Sequence, residues 1–201
     1  MLRDLPGLFR SRGYIYAAVL TAGVTTLAIE VSALRLLGNV FGTANFVWAA
    51  IIGAVLLYLA VGNYAGGVWA DAGPRADRFY ELLAWAGIAT GALPLVSRPV
   101  LLWSAAWVAQ LNGAVAAGAF AGALLLLAAP LALLGAVTPF AVRLLLDDPA
   151  GAGKIAGRVY AVSTGGSLLG CFLTVLVVIP AVDTGRAQRY DRSACPLRKS
   201  R

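Results

Sequence analysis

The chain has no histidine, only two cysteines and one methionine among 201 residues. Without histidine there is no Ser-His-Asp triad, no Cys-His nucleophile and no imidazole metal ligand. Cys171 and Cys195 are too few for a thiolate metal site, so no metal is expected. Cys171 lies in an apolar run and reads as a small packed hydrophobe. Charge is also scarce. Asp, Glu, Lys and Arg make up 12% of the chain, against about 25% in soluble domains. No nucleophile stands beside a visible base, so no catalytic residue is assigned and no cofactor is expected.

What is present is apolar surface. Hydrophobic residues make up 60% of the chain, and the mean hydropathy is +0.82. This is the composition of an integral membrane protein, with the lipid bilayer as its first partner. A net charge of +7 would suggest nucleic acid in a soluble chain. Here the basic residues fall between apolar runs, where orientation in the membrane accounts for them. No nucleic-acid partner is expected.

The apolar runs predict an all-α, polytopic transmembrane helix bundle. It has about five spans and one short interfacial helix. A basic head, residues 1–13, carries Arg3, Arg10 and Arg12. Spans follow over about 14–37, 46–70, 79–96, 114–137 and 155–181. The first run is longer than the ~7–15-residue core of a signal peptide and reads as an uncleaved helix. Pro99 to Asn112 is too short to cross. With Trp103 and Trp107 on one face, it reads as a helix lying at headgroup level. A re-entrant hairpin or an extension of the third helix are the alternatives. Pro130 and Pro139 should kink or end the fourth helix. Gly62-x-x-x-Gly66, Gly87-x-x-x-Gly91 and Gly118-x-x-x-Gly122 allow close helix approach.

Basic residues in short loops set orientation. Arg3, Arg10, Arg12, Arg75, Arg78, Arg143, Lys154 and Arg158 fall on one side, and Arg98 alone on the other. The expectation is a multi-pass protein of the cell (plasma or inner) membrane with a cytoplasmic N-terminus. The tail, 182–201, breaks this rule with Arg186, Arg189, Arg192, Arg198, Lys199 and Arg201. Either 99–112 spans after all, or the tail is a truncated or frame-shifted end. The second is the expectation taken.

Glu30 is the conspicuous residue. It puts a carboxylate inside the first apolar run, at a cost of roughly 2.5–3.5 kcal/mol on insertion scales. Arg35 is five residues on and about 140° around the helix, so it is not a natural pair for Glu30. A partner should come from another helix. Asn63, Ser163 and Thr164 are the candidate polar neighbours of a ligand there. The plain alternative is a wetted or protonated carboxylate that only packs.

Three patterns run in order along the chain. The first is Leu27-Ala28-Ile29-Glu30 with Arg35-Leu36-Leu37 and Phe41-Gly42. The second is Pro130-x-x-x-Leu134-Gly135-Ala136-x-x-Pro139 with Arg143. The third is Gly157-Arg158-Val159-Tyr160-Ala161, then Thr164-x-Gly166-Ser167-x-x-Gly170, ending at Ile179-Pro180. Together they resemble the N-terminal membrane domain of membrane-bound spermidine-synthase-like proteins, a transporter-like half fused to an aminopropyltransferase. Gly66-Gly67-x-x-Ala70-Asp71 also looks like the loop signature of major facilitator transporters, with Ala72 where a basic residue usually follows. Asp71 there could cap the next helix or hold neighbouring helix ends. Gly165-Gly166-Ser167-x-x-Gly170 sits inside a span, so it reads as helix packing rather than a dinucleotide loop.

The resemblance implies a membrane module without its aminopropyltransferase domain, and so not an enzyme by itself. It would anchor, or bind a polyamine-like solute with Glu30 as the ammonium partner. A stand-alone small transporter subunit and a ligand-free structural protein are the alternatives. A homo-oligomer or a separate aminopropyltransferase chain would be the protein partner.

Overall fold

The computed structural model describes residues 12–41, 45–110, 115–146, 148 and 151–180. Most of the basic head, the centre of the first turn and the tail from 181 lie outside them. The described residues form five long helices and no strand. They are α1 (Arg12–Phe41), α2 (Asn45–Asp71), α3 (Ala76–Gln110), α4 (Val115–Leu145) and α5 (Ala152–Leu173). α5 continues through a π-helical stretch, Thr174–Val178, in which the Ile179 N–H donates to the Thr174 carbonyl. All five are long and apolar enough to cross a membrane. The chain is a helical, multi-pass fold that suits a bilayer.

α4 is the centre. Of its span 56% is buried, against 17% for α3 and α5. It touches every other helix, and its buried face carries Leu127, Leu131, Val137 and Phe140. α2 pairs tightly with α4, and α5 with α1. Glycines make both pairings. A Cβ at Gly62 would meet the Ala132 backbone, and one at Gly66 would meet Ala136. Gly135 answers from α4, where a Cβ would stand 3.0 Å from the Leu59 carbonyl oxygen. In the other pair, Cβ atoms at Gly23, Gly166 and Gly170 would run into the carbonyl oxygens of Ser163, Leu20 and Val24. Lipid offers no hydrophobic drive between helices, so contact this close supplies the attraction. Gly87 and Gly91 face open space and make no such crossing.

Two elements differ from expectation. Residues 99–110 are no separate interfacial helix; they are the end of α3, which runs unbroken through Pro94 and Pro99. α4 likewise runs through Pro130 and Pro139 to Leu145 rather than stopping near 137. A proline removes one N–H and loosens one turn, and neighbouring helices hold the remainder of the helix in place. Buried Ser104 fixes the end of α3, donating to the Leu101 carbonyl (3.1 Å) and lying against Gly122 of α4.

One end of the bundle gathers the start of α1, the α2–α3 turn and the end of α4. Tyr14 meets Tyr80 edge-on at 5.5 Å, and Phe140 meets Trp69 at 5.6 Å and Phe79 at 6.0 Å. Arg143 Nε lies 2.9 Å from Asp71 Oδ1, an ion pair rather than an aligned hydrogen bond. Asp71 thus ties the end of α2 to the end of α4, the second of its two sequence readings. Arg78 reaches back to the Gly73 carbonyl (3.5 Å) and steadies the turn.

Candidate functional site

Helices α1, α2, α4 and α5 enclose a cavity of about 180 Å³. At ~30 Å³ per water it is the size of about six waters. Three of the four sequence candidates line it: Glu30 from α1, Asn63 from α2 and Ser163 from α5. The fourth, Thr164, does not; it is exposed on another face of α5. Thr26, Thr138, Tyr160 and Ser167 complete the polar lining, with Leu27, Leu59 and Leu134 as apolar wall.

Tight packing creates this space. Gly23 and Gly135, both at the close crossings, are also in the cavity wall. They draw α5 onto α1 and α2 onto α4, and the volume between the two pairs remains unfilled. Glu30 projects into it half-buried. Neither Glu30 nor Asn63 makes a hydrogen bond or ion pair among the described residues. The expected helix-borne neighbours are therefore present around Glu30, but none is engaged with it.

The lining is rich in acceptors. The Thr26 hydroxyl donates to the Ala22 carbonyl at 2.8 Å. The Ser167 hydroxyl donates to the Gly23 carbonyl across the α1–α5 crossing at 3.4 Å. Their protons are committed to backbone, so what these oxygens have left is lone pairs. With the Glu30 carboxylate and the Asn63 amide oxygen, the site can accept several hydrogen bonds. Among the described residues no Lys or Arg lines it. Chemically it can hold a positively charged donor, and an ammonium group has three N–H bonds to give.

Tyr160 and Ser167 stand in the sequence patterns only as motif positions. Their spacing with Ser163, at i, i+3 and i+7, is the signal that puts all three on one face of α5. Thr164 is turned ~100° from Ser163 and falls off that face. The remaining motif residues are structural in their surroundings. Gly62, Gly66, Gly135, Gly166 and Gly170 make helix crossings. Pro130 and Pro139 lie within α4, and Asp71 makes the ion pair. Arg35 and Arg158 are exposed away from the cavity. Cys171 is a free, half-buried thiol on α5.

A second, larger cavity of about 590 Å³ lies between α1 and α3 in front of α4, edged by Tyr14, Thr21, Thr25, Gly87 and Thr90. Ala22 and Leu134 line both spaces and stand between them. Among the described residues no group of His, Cys, Asp and Glu could hold a metal ion. Against protein-family models, curated proteins and solved structures the chain finds no match.

Proposed function

We propose that this chain is a membrane module that binds an organic ammonium ion at Glu30. A polyamine-type solute is the ligand that the spermidine-synthase-like resemblance implies. The observation that carries the reading is the acceptor-lined cavity, to which α1, α2 and α5 contribute Glu30, Asn63, Ser163 and Ser167 and, among the described residues, no Lys or Arg. A carboxylate at this depth is costly, and a bound ammonium offsets that cost. In this reading the chain serves a separate aminopropyltransferase chain, and the Arg75, Arg78 and Lys154 end faces the cytoplasm of the cell.

Anchoring without a ligand is the second reading. It is favoured by the use of Gly62, Gly66, Gly122, Gly135, Gly166 and Gly170 in helix contacts. Thermal unfolding in detergent separates the two. Saturating spermidine or putrescine should raise the Tm of the wild type, because a ligand at ~100 Kd adds about 2.7 kcal/mol to the folded state. Glu30→Gln should not respond. Equal Tm values with and without amine in the wild type would leave the anchor reading.

A further inference from the structure

The cavity around Glu30 is long and narrow. The α1–α5 crossing sets its register, because a Cβ at Gly23 would meet the Ser163 carbonyl and the Ser167 backbone nitrogen. Gly23 and Ser163 therefore lie at one level, and both helices run away from the basic end. Tyr160 is three residues from that level towards the basic end, and Glu30 is seven residues from it in the other direction. At 1.5 Å per residue their backbones are about 15 Å apart along the bundle. The Glu30 side chain leans back towards the start of α1, into this interval. The volume of about 180 Å³ holds about six waters. At the ~2.8 Å spacing of O–H···O bonds, six waters make a file of about 14 Å. Volume and length agree on a path one water wide.

Its two ends differ. Tyr160, 52% exposed, follows exposed Arg158 by two residues, about 3 Å along α5. Thr138 precedes Arg143, the partner of Asp71, by about 8 Å along α4. Arginine keeps its charged head in water, so this end of the path opens near headgroup level on the basic side. The opening lies between α2 and α5, which make no contact among the described residues, and exposed Asn63 is on its α2 side. Beyond Glu30 the bundle closes. Leu37, Ile51, Leu127 and Leu131 are at most 1% exposed. On their helices they lie further from the basic end than Glu30, Leu59 and Leu134 of the cavity wall.

We propose that Glu30 is a proton site, loaded from the basic end through this file of water and closed to the opposite side. The lining suits water. A buried water needs two to four polar partners, and Tyr160, Ser163, Asn63, Thr26 and Ser167 are spread along the path. Thr26 and Ser167 give their protons to carbonyls and can accept from water. Glu30 is the one carboxylate of the lining, and Tyr160 is its other titratable group. Asp71, Arg143 and Arg158 stand towards the basic end, outside the lining. A proton neutralises Glu30 at a depth where charge is costly, as a bound ammonium would. The two therefore compete: an ammonium that pairs with the protonated carboxyl leaves a carboxylate, and one proton goes out along the waters. The proton site goes beyond the amine reading and stands without it.

The test is infrared spectroscopy of the full chain in phosphatidylcholine vesicles on an internal-reflection crystal, with H2O exchanged for D2O at pH 4. A glutamate at its ordinary value of about 4.3 is more than half protonated there. The Glu30 signal is the protonated-carboxyl band present in the wild type and lost in Glu30→Gln. It should move to its deuterated position as fast as the solvent is exchanged. Ser163→Leu, which fills the middle of the path, should slow that shift at least tenfold. Thr164→Leu, exposed on another face of α5, should not. If Ser163→Leu does not fold, Asn63→Leu at the exposed opening carries the same test. The proposal is overturned by a wild type without the band, by a band that lags the solvent at least tenfold, or by exchange that stays fast in the blocked variants. Saturating putrescine should shift the disappearance of the band to lower pH. A band that exchanges through the path but ignores putrescine upholds the proton site and drops the amine reading. A putrescine-dependent Tm without exchange through the path does the reverse.

Discussion

A carbonyl oxygen stands where a Cβ would go at Gly23, Gly166 and Gly170, and none of these positions can yield without moving a helix. Gly170→Ala should therefore destabilise by about 1–3 kcal/mol, the range for overpacking a close contact. Gly165→Ala, one residue from Gly166 but facing open space, should stay within about 0.5 kcal/mol. Thermal unfolding of the two variants side by side separates steric cost from helix propensity; equal losses would mean the α1–α5 crossing is not what holds α5. Charge at the bundle end behaves differently. The Asp71–Arg143 pair is 73% and 41% exposed at its side chains, so Asp71→Asn should cost no more than about 1 kcal/mol, and less at high salt. A larger loss would show that the pair closes the bundle end rather than decorating it.

Helix length and proline content carry the argument at the next scale. α3 has 35 residues, about 52 Å, and cannot fit wholly inside a ~30 Å hydrocarbon layer. Its end, with exposed Trp103, should reach the headgroup region. In a variant keeping Trp103 as the sole tryptophan, lipids brominated near the headgroup should quench its fluorescence more than lipids brominated near the chain end. The reverse order would put this part of α3 deep in the layer. The existence of five spans was legible because apolar runs of more than twenty residues have few other uses. The continuity of α3 and α4 was not, because Pro94, Pro99, Pro130 and Pro139 signal breaks in water-soluble helices and are tolerated where neighbours hold the helix. Glu30 was legible as a lone carboxylate in an apolar run, and Asn63 and Ser163 as polar residues on other helices. That they share one cavity was not, because no local signal reports which faces of α1, α2 and α5 turn together. Gly23 was invisible as a contact because its partner, Ser163, is a backbone carbonyl some 140 residues away.

At the scale of the whole molecule, alternating helix direction brings the start of α1, the α2–α3 turn and the end of α4 to one end, where Tyr14 meets Tyr80 and Asp71 meets Arg143. Arg12, Arg75, Arg78, Arg143, Lys154 and Arg158 lie at or near that end, whereas Asn45 and Phe41 lie at the other. Exposed Trp69 and part-exposed Tyr80 sit beside the same charges, as an interfacial belt should, over a fully buried contact between Phe79 and Phe140. Retention of Lys and Arg on the cytoplasmic side then gives a definite expectation. With Cys171 and Cys195 replaced by alanine, Asn45→Cys should react with a membrane-impermeant maleimide added to intact cells. Ala72→Cys, exposed in the α2–α3 turn, should react only after the membrane is opened. Reaction of Ala72→Cys alone in intact cells would invert the orientation. Reaction of both would mean that the chain inserts both ways, and that the basic cluster, despite its one-sided placement, does not control insertion.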